Sequence, residues 1–169
     1  MKSFAIKIAR PACLSIIASA AEVYPKECMG SVCCPVSDQA HIVAAFPYQI
    51  ARRKLAEVTS ESPDVFDKLF NNGPFIKFGD FHSHPFQAFE EVYPLGPSET
   101  DLNDLKNGEI EIIVQVRRTR KNSNYWRNTK VGVSIAWDRY RFFIGAFMRT
   151  GGLDVEGVPL YKKVRLSFA

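Results

Sequence analysis

Three residues in two short stretches have the types and spacing that bind a metal. His82 and His84 stand two apart in "GDFHSHPF" (79–86), and Asp101 ends "PSETD" (97–101). In an extended segment, residues i and i+2 face the same way about 7 Å apart, so both imidazoles can reach one cation at ~2.0–2.1 Å. Phe81 and Ser83 then face the opposite side. A loop that folds the first turn of the next helix back over the strand end brings Asp101 in as a third ligand. Two neutral imidazoles and one carboxylate leave a fourth tetrahedral position for water, the composition of a catalytic rather than a structural zinc site. An open position implies hydrolysis. A neighbouring carboxylate is then useful to accept a proton from the attacking water and return it to the leaving amine. Asp80, Glu90, Glu91, Glu99 and Glu27 all qualify, and spacing alone does not choose among them.

"PKECMG" (25–30), "HSHP" (82–85) and "PSETD" together resemble the P-x-E-x-x-G, H-x-H-P and S-x-x-D stretches of the JAMM (MPN-plus) metallopeptidases. That family includes isopeptidases that release ubiquitin and ubiquitin-like proteins. H-x-H-P by itself is weak evidence; three elements in the same order, spanning residues 25–101, are specific. Position by position, the resemblance implies that His82, His84 and Asp101 hold one zinc ion per chain, with Glu27 positioning and deprotonating the attacking water. Ser98 would donate a hydrogen bond to the oxyanion, and Pro85 would turn the chain after the second ligand. The implied reaction is hydrolysis of an isopeptide or peptide bond at the C-terminal tail of a ubiquitin-like or sulfur-carrier-like protein. One departure stands out: Phe86 to Pro97 separate Pro85 from Ser98, where the family has a shorter loop, and "FQAFEEVYPL" reads as a wall or lid beside the site.

Each residue also has a plainer reading. Ser98 and Asp101 could form only a reciprocal helix cap, and Glu27 could pair with Lys26 at a strand entrance. Cys28 reads as a core thiol on the face opposite Glu27, and His41 as a surface or strand-end residue with no partner at ligand spacing. Asp80 shares a face with both histidines and could either support an imidazole N–H or form a salt bridge elsewhere.

The elements that must position these residues follow from periodicity. "SFAIKI" reads as a strand, followed by a helix with Pro11 in its first turn and an apolar face of Leu14, Ile17, Ala18 and Ala21, stopped by Pro25. "ECMGSVCCPV" and "AHIVAAFPYQI" read as neighbouring strands, and "SESPDVFDKLFNNG" as a helix. "FIKFGDFHSH" is extended, "PSETDLNDLKNG" a short helix capped by Ser98, and "EIEIIVQV" a strong strand. "VGVSIAW" and "RFFIGAFM" form a hairpin around "DRY", with "YKKVRLSF" closing. The expected class is α/β (α+β), a mixed, curved sheet flanked by helices in a single domain over residues 1–169. The resemblance implies an MPN/JAMM-type, cytidine-deaminase-like fold.

Composition agrees with a cored enzyme-sized domain: 46% of the 169 residues are apolar and 24% charged, so disorder and low-complexity classes are excluded. Net charge is +4, and "RRTRKNSNYWRNTK" (117–130) supplies all of the excess. Tyr125 and Trp126 among basic residues resemble a single-strand nucleic-acid contact, but such a run more often forms a solvated loop between strands, and an acidic protein partner suits it as well. Cys13, Cys28, Cys33 and Cys34 lack C-x-x-C spacing and read as reduced thiols of a cytosolic protein. Lys2 and "ACLSIIASAA" imitate a signal peptide, but Lys7, Arg10 and Pro11 interrupt it, so a folded strand and helix is expected. No apolar run approaches the ~20 residues of a membrane span. A non-catalytic interaction module that keeps its zinc is the rival reading; oligomeric state is not legible.

Overall fold

The computed structural model describes residues 5–48, 51–53, 58–60, 73–86 and 96–169, with no side chains described at 51–53, 58–60 and 86. The helix expected over "SESPDVFDKLFNNG" and most of the 86–97 insertion lie outside the described residues. What is described is a mixed α+β structure made mostly of strands.

β1 (Ala5–Ile8) leads into α1 (Arg10–Val23), where a proline at the helix start costs no hydrogen bond. β2 (Met29–Pro35), β3 (His41–Ile42) and β4 (Ala44–Pro47) follow, then the short pair β5 (Ala51–Arg53) and β6 (Val58–Ser60). β7 (Phe75–Phe86) carries both histidines, and α2 (Glu99–Asp104) carries Asp101. β8 (Ile110–Arg118), β9 (Tyr125–Asn128), β10 (Gly132–Trp137), β11 (Tyr140–Leu153) and β12 (Pro159–Phe168) complete the order.

The main sheet runs β3-β1-β12-β11-β8-β7-β2-β4, with β10 and β9 continuing from the first half of β11 and β5–β6 forming a separate pair. β1 is parallel to β12 and β3, β7 is parallel to β8, and the remaining pairs are antiparallel. The first and last strands of that path are separated in sequence by Val43 alone, whose N–H donates to Cys33 O at 2.9 Å. The sheet therefore curls until its two ends nearly meet. α1 packs against β4 at one end of the path and against β7 and β8 in its middle, as only a helix inside the curve can. Ala12, Cys13, Ile16 and Ala20 of α1 join Ile8, Phe81, Ile112, Val114, Ile144 and Leu166 of the strands in one core.

The apolar face expected on α1 is corrected in part: Ile17 is buried and Ala21 packs against the core, but Leu14 and Ala18 do not. Leu14 is 39% exposed and Ala18 is exposed, while Ala12, Cys13, Ile16, Ile17, Ser19 and Ala20 are buried. The helix is apolar nearly all round, so two stripes compete. The one with more small residues wins because a curled sheet leaves little radius inside. The basic stretch is also more ordered than expected: Arg117 and Arg118 end β8, and 125–128 form β9, paired with β10 through Ser134↔Arg127 and Ala136↔Tyr125. All four cysteines are buried and none is in a disulfide, and burial pushes the Cys13 and Cys33 thiols up to about 12. Cys28, fully buried, is the core thiol expected. Among the described residues no helix is long and apolar enough to cross a membrane.

Candidate metal centre

β7 lies between β2 and β8, and its alternation decides which residues meet. Phe81 pairs with Ile112 and both are fully buried in the core around α1. His82, level with Ile113, and His84, level with Gln115, consequently stand on the outer face of the sheet. On the other side, Met29 pairs with His82. Ser83 N–H donates to Cys28 O at 2.8 Å, and Cys28 N–H donates to Ser83 Oγ at 2.9 Å. These bonds carry the pairing one residue past β2 and bring buried Glu27 level with His84 by register. Gly30, at the end of "PKECMG", allows this packing: a Cβ there would lie 2.3 Å from Phe46 O and 2.6 Å from the Phe81 ring.

Asp101 is delivered by α2. Ser98 is the N-cap, and its hydroxyl accepts from Asp101 N–H at 3.2 Å while Ser98 N–H donates to Asp101 Oδ2 at 2.6 Å, a reciprocal cap. Burial of Leu102 anchors the helix, and the Arg149 guanidinium of β11 donates to Leu105 O at its end. The cap orients the Asp101 carboxylate before any cation is considered. It also leaves the Ser98 hydroxyl proton uncommitted, since a hydroxyl that accepts one bond still has its own proton to give, and Ser98 is exposed.

The three ligand atoms form a small triangle. His82 Nε2 and His84 Nε2 are 2.7 Å apart, and Asp101 Oδ2 lies 3.4 Å from the first and 3.5 Å from the second. A tetrahedral cation with ligands at ~2.0–2.1 Å has edges of about 3.3 Å, so two edges match and the third, between the imidazoles, must widen by about 0.6 Å. This donor set could hold a metal ion.

Glu111 of β8 explains why His82 Nε2 faces inward as an acceptor. Its Oε1 lies 2.6 Å from His82 Nδ1, and it is 12% exposed. A hydrogen on Nδ1 bound to that carboxylate leaves Nε2 of the neutral ring with a lone pair aimed at His84 and Asp101. In the metal-free protein the proton stands in for the cation. Burial opposes a charged His82, but hydrogen bonds to Asp101 and Glu111 outweigh it and raise its pKa to about 10. Burial likewise opposes a charged Asp101, yet its bonds to His82 and His84 prevail and hold it well below the carboxylate range.

The structure thus brings His82, His84 and Asp101 together, while Glu27 is level with His84 by register only and Ser98 caps the helix that carries Asp101. Asp80 takes no part: Lys77 lies 3.0 Å from it, and Ser31 Oγ and Tyr48 OH donate to its carboxylate at 2.8 and 3.2 Å. Its alternative as a salt-bridge partner is the one realised. Glu111 was missed by sequence reasoning. The signal available, an acid at an outward position of "EIEIIVQV", becomes informative only once β8 is known to lie parallel to β7.

No family model matches the chain, and no curated protein matches it. Among solved structures, the chain resembles the solution structure of protein DSY2949 from Desulfitobacterium hafniense, with a TM-score of 0.62 over 97% of this chain and 92% of that one, at 13% identity. A likeness at that identity is a likeness of fold.

Proposed function

We propose that the protein is a zinc-dependent peptidase of the JAMM type that hydrolyses an isopeptide or peptide bond at the C-terminal tail of a ubiquitin-like or sulfur-carrier-like protein. The observation that carries this reading is the triangle of His82, His84 and Asp101, with the tautomer of His82 set by Glu111. A curved mixed sheet around α1, with the H-x-H-P strand in its centre, supports an MPN/JAMM-type, cytidine-deaminase-like fold. Four buried thiols without disulfides suit a cytosolic setting.

Zinc held by His82, His84 and Asp101 would supply a Lewis acid that brings the pKa of a bound water toward ~7. Glu27, the buried carboxylate level with His84, accepts the proton of the attacking water and passes it to the amine as the C–N bond breaks. The Ser98 hydroxyl, with its proton free of the cap, donates to the oxyanion that forms on the scissile carbonyl. An extended tail lying along a sheet edge would steady that carbonyl through main-chain hydrogen bonds.

Glu27→Gln tests the assignment. The variant should retain about one zinc per chain and lose roughly 10²–10⁴ in turnover on a linear or isopeptide-linked tail. Undiminished turnover sinks Glu27 as the base. Zinc retained by both proteins with no turnover in either favours an interaction module instead.

A further inference from the structure

The same sheet face continues past the histidines into a second site. A cavity of about 350 Å³ opens over β8, β11, β10 and β9, lined by Gln115, Arg117, Tyr125, Arg127 and Arg141 among others. Register puts it on the metal-bearing face: His84 pairs with Gln115, Gln115 with Phe143, Phe143 with Ser134 and Ser134 with Arg127. One row along, Arg117 stands directly opposite Arg141.

Like charges directly opposite across two strands destabilise a sheet. Among the described residues no carboxylate pairs with Arg117, Arg127 or Arg141. Two of the three cationic heads, those of Arg127 and Arg141, are nevertheless held in place. Tyr125 lies between two of them, with the Arg127 guanidinium 4.8 Å and that of Arg141 5.7 Å from its ring centre. Arg141 also donates to Ser123 Oγ, and to Tyr140 O at 3.3 Å. Held guanidinium groups without a counter-charge among the described residues, in a cavity rather than along an open stripe, suit a carboxylate.

We propose that this pocket is a specificity subsite for an acidic side chain of the polypeptide substrate, a proposal that rests on the peptidase reading for what the metal centre does to the same chain. Neighbouring strands are ~4.8 Å apart, so the middle of the pocket is about 10–15 Å from β7. An extended chain covers that distance in roughly three to four residues at ~3.3 Å each. The favoured substrate therefore carries an Asp or Glu about three to four residues from the scissile bond. A nucleic acid is less well matched, because its phosphates repeat along a line, whereas these cations converge on one cavity.

The test measures binding separately from turnover. Short fluorescein-labelled peptides with a Glu, or an isosteric Gln, on either side of a central Gly-Gly are titrated against the zinc-loaded protein and against Arg117→Gln/Arg127→Gln, both exposed positions. Glu should bind about tenfold more tightly than Gln to the wild type, and equally in the double variant. Arg117→Glu/Arg127→Glu should reverse the preference toward a Lys peptide, which a merely unfolded variant would not do. Equal binding of Glu and Gln to the wild type overturns the subsite. So does a single-stranded oligonucleotide that binds more tightly than the Glu peptide and loses that affinity in the double variant. A Glu preference seen without hydrolysis leaves the subsite standing and counts against the peptidase reading alone.

Discussion

The candidate metal centre and the arginine pocket occupy one face of one sheet, and they are built in opposite ways. In the first, His82 is answered by Glu111 and Asp101, and Asp101 by Ser98 N–H and both imidazoles, while Glu111 Oε2 stays buried with no hydrogen-bond partner among the described residues. The cations of the second face a cavity and, among the described residues, have aromatic and neutral partners only. An answered cluster is pre-organised, so its chemistry is all-or-none; an unanswered one acquires its partner from the ligand, so its contribution is graded and weakened by salt.

The largest effect that would sharpen this contrast is at Ser98. Ser98→Asp keeps a capping oxygen for Asp101 N–H but removes the hydroxyl proton. We expect the fold and metal content to survive while turnover drops by ~10²–10³. Turnover close to wild type would reduce Ser98 to a cap and make the centre less complete than its geometry argues.

Next is Glu111→Gln, which leaves an acceptor for His82 Nδ1 but removes its charge. Metal affinity should fall roughly 10–100-fold, read by competition with a chelating dye. Added salt should change neither protein's metal affinity much, in contrast to peptide binding at the arginine pocket. An unaltered affinity would show that the carboxylate is incidental to the metal.

The smallest effect concerns pH. In the metal-free protein the folded pKa of His82 is raised to about 10. Its contribution to stability is therefore complete below the unfolded value of ~6.5 and disappears as pH rises through about 10. Asp101 is lowered, so its contribution is present above ~3.9 and lost as pH falls further. Melting temperature should thus decline on the alkaline side in chelator and hold there with zinc, because the cation replaces the proton. An identical alkaline slope with and without metal would break the link between the buried cluster and the ion.

How much could be read in advance depended on sequence distance. His82 and His84 are two apart on one strand, and Ser98 and Asp101 three apart at one helix start, so local geometry alone predicts that each pair acts together. Glu27 could be singled out only through a motif, since nothing in its own surroundings separates it from the other acids. The two positions misplaced on α1 have a similar cause: Leu14 and Ile16 are both apolar, and only the way the helix docks inside the sheet decides that Ile16, not Leu14, goes in.

Chain chemistry alone therefore determined the side-chain types of the candidate metal centre, the cap that aims Asp101, the buried thiols and a mixed set of strands and helices. Tertiary structure decided which strands are neighbours. The parallel pairing of β7 with β8 set Glu111 against His82, and the order β8-β11-β10-β9 gathered arginines from positions 117, 127 and 141 into one cavity. The physical reason is that side-chain alternation is written residue by residue, whereas cross-strand register results from how a whole sheet closes around its core.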